Sequence, residues 1–124
     1  MATPPRPPDR DSYSTMRTLK WSSTEKAIAR KAFERALQQE LNTVIQSTKQ
    51  MAAKIRQASD LWELERYLTQ RRKEIDRKYE YKYSVLLPIF GELVREGRLD
   101  AKDFQGLAED KLAYIRREAR HPAA

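Results

Sequence analysis

The sequence predicts an all-α fold: one long helix, a second long helix kinked at a proline, and a small C-terminal helical cap. Three observations carry this. Apolar residues recur at steps of three and four from Trp21 onward, glycine occurs three times in 124 residues, and no turn separates alternating segments that could pair as strands.

Residues 1–20 stand apart as a Pro-rich tail. Pro4, Pro5, Pro7 and Pro8 crowd its start with few apolar residues near them, so the tail is expected to be disordered, its ordering entropy unmatched by burial. The spacing also fits a PxxP ligand for an adaptor domain. Residues 21–120 form one domain, and residues 121–124 a disordered end.

The first helix is expected from about 23 to 58. Ser22-Ser23-Thr24-Glu25 fits a capping box. Ile28, Ala32, Phe33, Ala36, Leu37, Leu41, Val44, Ile45, Thr48, Met51, Ala52 and Ile55 follow at helical steps, uninterrupted by Gly or Pro. At 1.5 Å per residue the helix is roughly 50 Å long.

Ser59-Asp60 separates it from the second helix, with Asp60 and Glu63 at capping-box spacing. Leu61, Leu64, Tyr67, Leu68, Ile75, Tyr79, Tyr83, Leu86, Leu87, Phe90 and Val94 continue the helical stripe. Tyr79-Glu80-Tyr81-Lys82-Tyr83 alternates as a strand would, but with no turn signal and no partner strand, helix is expected through it. Pro88 removes one helical hydrogen bond and crowds the Ser84 carbonyl, which places a kink or break near 84–88. Gly97 closes the helix. Asp100 caps a short turn at 101–105, Gly106 stops it, and a last helix spans about 108–119.

Length has a consequence for assembly. The first helix carries an apolar stripe about 50 Å long, and within its own chain it meets mainly one other long helix. Two helices cannot enclose each other's apolar faces, whereas three or four can. A homodimer bringing four long helices together is the economical solution.

Composition narrows the chemistry. With no Cys there are no disulfides, thiolate nucleophiles or Cys-type zinc sites, and a single histidine, His121, leaves no His cluster for a triad or a metal. The longest uncharged run, Tyr83 to Gly91, falls short of the ~20 apolar residues of a membrane span. No Gly-rich phosphate loop occurs. Glu63, Glu65, Glu74 and Asp76 sit among Arg and Lys rather than alone in apolar surroundings that would raise a carboxyl pKa. The expectation is a non-enzymatic cytoplasmic protein with no catalytic residues, no cofactor and no metal.

The net charge of +7 invites a nucleic-acid reading. The excess lies on the first helix, where Lys26, Arg30, Lys31, Arg35, Lys49, Lys54 and Arg56 share the span with three glutamates. Tyr79, Tyr81 and Tyr83, with Lys78 and Lys82, supply candidate stacking groups. A solvated basic face is the simpler account, and a basic helical nucleic-acid-binding protein stays as the alternative. Trp62 points elsewhere. It lies next to Leu61 at the start of a helix, is not needed by the apolar stripe, and has Arg66, Arg71 and Arg72 within about three turns. Trp and Arg together favour a protein–protein contact.

Several of these residues fall in a pattern that resembles the fluorescence recovery protein family. They are Trp21-Ser22 with Thr24-Glu25-Lys26; Asp60-Leu61-Trp62-Glu63-Leu64; Leu68-Thr69; Arg72-Lys73-Glu74-Ile75-Asp76; Lys78-Tyr79; Ser84; Phe90 with Leu93-Val94 and Gly97; Phe104-Gln105-Gly106-Leu107; and Lys111-Leu112. The resemblance covers about residues 21 to 117. It implies an all-helical homodimer that binds photoactivated orange carotenoid protein and speeds its return to the resting state, without covalent chemistry. It further implies partner-binding or dimer-interface roles for six positions. The family's functional Trp and Arg match Trp62 and Arg72. Glu65 and Arg66 stand where the family has His and Asp, Pro88 where it has an aromatic in the head, and Tyr114 at or near a C-terminal lysine. These departures point to a divergent member that keeps the scaffold and the dimer and binds a protein partner other than the photoreceptor.

Overall fold

The structure, a computed structural model, describes residues 19–120. Its elements in chain order are α1 (Ser23–Ala53), α2 (Ala58–Lys78), α3 (Tyr83–Arg95), a 3-10 turn (Ala101–Phe104) and α4 (Glu109–Arg120), with no strand among the described residues. The expectations for the prolines of the tail, for His121 and for the last three residues lie outside the described residues.

The start of α1 is the capping box the sequence predicts. Glu25 N–H donates to Ser22 Oγ at 3.1 Å, and Ser22 N–H donates to Glu25 Oε1 at 3.1 Å. The second oxygen of the same carboxylate accepts from Ala108 N–H at 2.9 Å and pairs with Lys111 Nζ at 3.1 Å. Ala108 accepts the first bond of α4, from Leu112 N–H at 3.1 Å. One carboxylate therefore satisfies orphan donors at two helix starts. Lys111 Nζ also donates to the Lys20 carbonyl at 2.8 Å, and Leu19 packs against the core. Both residues, placed in the tail by composition, belong with the domain.

Two helix boundaries differ from the expected ones. α1 ends at Ala53 rather than near 58, because Lys54 and Ile55 bond back three residues, to the Met51 and Ala52 carbonyls, and tighten the last turn. α2 begins at Ala58 rather than at Asp60. Asp60 acts from inside the first turn, its Oδ2 accepting from Arg56 N–H at 3.1 Å and Gln57 N–H at 3.3 Å.

The larger correction concerns the second helix. It is not one helix kinked at 84–88 but two, α2 and α3, separated at 79–82, and α3 runs unbroken through Pro88. Aromatic packing explains the position of the break. The Tyr79 and Tyr81 rings both stand edge-on to Phe33 of α1, at 5.5 and 5.0 Å between centroids, and Tyr81 passes the contact on to Tyr83 and Trp21. Two residues apart, Tyr79 and Tyr81 reach one ring where the chain leaves the helix at Tyr79 and turns tightly, Lys82 N–H donating to the Glu80 carbonyl at 3.1 Å. Glu80 and Lys82 face the other way and pair with each other at 2.8 Å. The strand-like alternation was thus a signal of non-helical chain, with the aromatic contacts to Phe33 holding it in place of a partner strand. Pro88 cannot donate to the Ser84 carbonyl, yet Leu86, Leu87, Ile89, Phe90 and Leu93 around it are all buried and carry α3 through the loss.

The core forms a head at one end of the molecule. Ala29, Ala32, Phe33 and Ala36 of α1 meet Leu86, Leu87, Phe90 and Leu93 of α3, closed over by Leu99, Phe104, Leu107 and Ile115. α3 ends in a Schellman motif: Gly97 takes φ 78°, its N–H donates to the Val94 carbonyl, and Arg98 N–H donates to the Leu93 carbonyl. Beyond Glu40 and up to Arg77 no residue is buried. The rest of α1 and most of α2 form a two-helix stalk outside the core.

α4 lies so close on α3 that a Cβ at Gly91 would sit 2.5 Å from Glu118 Cβ. Gly91→Ala is therefore expected to destabilise by about 1–3 kcal/mol through overpacking, despite the better helix propensity of alanine. Urea unfolding checks it, and a stabilised variant would contradict the close packing.

Candidate functional site

Four of the six predicted positions sit together. Trp62, Glu65, Arg66 and Arg72 share one side of α2 in the stalk, and all are exposed. Trp62 keeps 54% of its surface open. Arg72 Nε lies 3.9 Å from Asp76 Oδ2 with both side chains mostly in solvent, a weak tie that leaves the guanidinium available. Glu65 and Arg66, with Thr69, Gln70, Lys73 and Glu74, line an open depression of about 490 Å³. Leu41, Ile45, Leu61 and Leu68 are exposed as well, at 37, 47, 46 and 39%. These exposed apolar side chains lie on two neighbouring helices, α1 and α2.

Pro88 and Tyr114 lie apart from these four, in the head, on α3 and α4, both half-buried. Tyr114 packs against the core, and the Arg117 guanidinium sits 5.4 Å from its ring centre. Beside it, Val94, Phe104, Leu112 and Ile115 line an apolar groove of about 200 Å³ with Arg116 at its edge. The predicted residues thus divide between two surfaces, one on the stalk and one on the head.

The basic face of α1 is partly occupied within the chain. The Arg30 guanidinium covers the Tyr81 ring at 3.8 Å, Lys26 lies over Tyr83 at 5.6 Å, and Arg35 pairs with Asp103. Tyr79, Tyr81 and Tyr83, the candidate stacking groups, contact other aromatic rings of the chain.

Sequence reading missed the most charged feature of the interior. Glu40, fully buried, receives Lys78 Nζ at 2.7 Å, the Tyr79 hydroxyl at 2.8 Å, Arg71 at 3.0 Å and Arg98 Nε at 3.2 Å. Glu96 shares Lys78 at 2.9 Å and Arg98 at 2.9 Å, and Glu74 shares Arg71. Three carboxylates face three cations. Arg71, counted with Arg66 and Arg72 as one cluster, in fact turns inward while those two stay outside. One signal was present in the sequence: Glu40 continues the buried register of Ala29, Ala32, Phe33 and Ala36 at helical steps.

Burial pushes the Glu40 carboxyl up, but the bonds from Lys78 and Tyr79 and the charges of Lys78 and Arg98 outweigh it and hold the group below its ordinary 4.5. Glu96 is lowered in the same way, with burial opposed by Lys78 and Arg98, and Glu25 with burial opposed by Ala108, Ser22 and Lys111. The phenol of Tyr79 is pushed far up by burial and by the bond it donates to Glu40. Among the described residues no group of three or more His, Cys, Asp or Glu side chains is placed to hold a metal ion, and no helix is long and apolar enough to cross a membrane.

A compact helical head carrying a two-helix stalk with exposed apolar side chains defines the class as an all-helical scaffold. Residues 21–119 match the family described as photoprotection regulator fluorescence recovery protein, and the chain belongs to that family. It is 37% identical to the fluorescence recovery protein of Synechocystis sp. over 100 residues, 81% of this chain and 92% of that protein. The solved structure of the Fremyella diplosiphon fluorescence recovery protein matches with TM-score 0.79 and 38% identity, covering 82% of this chain and all of that one. The Synechocystis sp. PCC 6803 structure matches with TM-score 0.79, 36% identity and the same coverage.

Three carboxyls lowered by folding set a direction for pH. The unfolded chain takes up their protons first, near 4.5, so their contribution is complete above that value and is lost as acid titrates the folded form. Urea midpoints are expected to hold from about pH 7 to about pH 5 and to fall below the ordinary carboxyl value. Midpoints that rise or stay level down to about pH 3 would contradict the ionic contacts of Glu25, Glu40 and Glu96.

Proposed function

We propose that two copies pair through the stalk and that the dimer is a non-enzymatic regulator acting in the cytoplasm by binding another protein. The observation that carries this is the apolar set Leu41, Ile45, Leu61, Trp62 and Leu68, left exposed on two helices that have no third helix to cover them. A second copy supplies the missing helices. Family membership supports photoactivated orange carotenoid protein as the partner, against the expectation that the changes at Glu65, Arg66, Pro88 and Tyr114 redirect binding to another protein. A binder that prefers one state of a photocycle shifts the population toward that state, and its leverage equals its differential affinity for the two states. Such action needs a contact surface and no reactive group. The stalk side of α2, with Trp62, Glu65, Arg66 and Arg72, serves the dimer. The head, with Pro88 and Tyr114, serves the partner.

Recovery of photoactivated orange carotenoid protein in the dark, with this protein in excess, tests the reading. Faster recovery is the expected result, and Trp62→Ala should weaken it while shifting the light-scattering mass from dimer toward monomer, with helicity by circular dichroism unchanged. A folded dimer that leaves the rate unaltered would overturn the photoreceptor assignment in favour of a different protein partner, as the changes at Glu65, Arg66, Pro88 and Tyr114 would then explain. A monomeric mass would overturn the dimer itself. A tight salt-dependent affinity for nucleic acid would replace both.

A further inference from the structure

We infer that the buried ionic cluster around Glu40 is a joint that locks the head to the stalk, so that the stalk dictates how the head is presented. The inference rests on the proposed dimer only in assigning the stalk to a second copy; the joint is a property of each chain. Its position is the first argument. Glu40 is the last buried residue of α1, and Lys78, at the end of α2, is the one residue of that helix that is buried. Between them lies the whole stalk, and around them lie Tyr79 from the segment at 79–82 and Glu96 and Arg98 from the turn that closes α3. Apart from the chain itself at 79–82 and an Arg77–Glu92 pair at 3.8 Å, the ion pairs that join α2 to the head meet at these side chains.

The chemistry is the second argument. Apolar side chains at such a crossing tolerate sliding and rotation, because dispersion contacts are not directional. Charge-assisted bonds of 2.7–3.2 Å to a fully buried carboxylate fix both distance and angle. Arg71 and Lys78 both come from α2, so a shift of α2 on α1 takes from the fully buried Glu40 two of its three cations. Arg71, which ties α2 to Glu40, is adjacent in sequence to the outward-facing Arg72 on the stalk side proposed for the dimer. A rotation of α2 imposed at that side either is resisted by the cluster or carries the head with it.

The test is a distance measurement within one chain. The protein has no native cysteine, so spin labels at Glu63→Cys on α2 of the stalk and Lys102→Cys in the head, both exposed, report their separation, with labelled chains diluted into excess unlabelled protein. The native background should give a single narrow distance distribution. Glu40→Gln should lose the single peak and give a broad or shifted one, and Tyr79→Phe, which removes one bond, should broaden it less. An unchanged narrow distribution in folded Glu40→Gln would overturn the joint. If that variant does not fold, Arg98→Gln decides in the same way. Light-scattering mass, read on the same samples, separates loss of the joint from failure of the dimer reading.

Discussion

Two helices lying side by side cannot bury both of their apolar faces, and this constraint shapes the molecule. α1 spans 31 residues, and its two halves meet it differently. The first half is covered by α3, the 3-10 turn and α4, which fold back over Ala29, Ala32, Phe33 and Ala36. The second half has only α2 beside it, and there Leu41, Ile45, Leu61, Trp62 and Leu68 stay open. The head is thus a finished core and the stalk an unfinished one, built on the same helix. Glu40 sits where one gives way to the other, as the last buried residue of α1.

Much of this was legible in the sequence. The Ser22–Glu25 capping box, the turn capped by Asp100, Gly97 at the end of α3 and the start of α4 follow from local chemistry, which the surrounding fold does not override. The break at 79–82 was not legible, because helical periodicity continues across it. Tyr79 and Tyr83 fall on the expected helical stripe and also on an aromatic ladder, and only the presence of Phe33, far away in sequence, selects the second. Pro88 misled for the converse reason. Its local cost is real, but the five buried apolar residues around it outweigh one lost backbone bond.

The candidate site was legible in part. Trp62 and Arg72 were found as exposed groups of kinds enriched at protein contacts, and both lie on the open side of the stalk. Glu40 was missed because a glutamate inside a helix of high charge reads as a solvated one until its register with the buried alanines is set against it. Its partners Arg71, Lys78 and Arg98 come from 31 to 58 residues away, a separation that no local pattern encodes. In this chain, then, the scaffold is carried by helix caps and apolar spacing, while Glu65 and Arg66 are exposed and Pro88 and Tyr114 half-buried.

The central claim is that the stalk is completed by a second copy of the chain. Urea unfolding at several protein concentrations tests it most directly, since a fold stabilised by association gains stability by mass action. The account predicts a midpoint that climbs steadily with protein concentration. A midpoint independent of concentration, from protein unfolding in a single two-state step as a monomer, would contradict it.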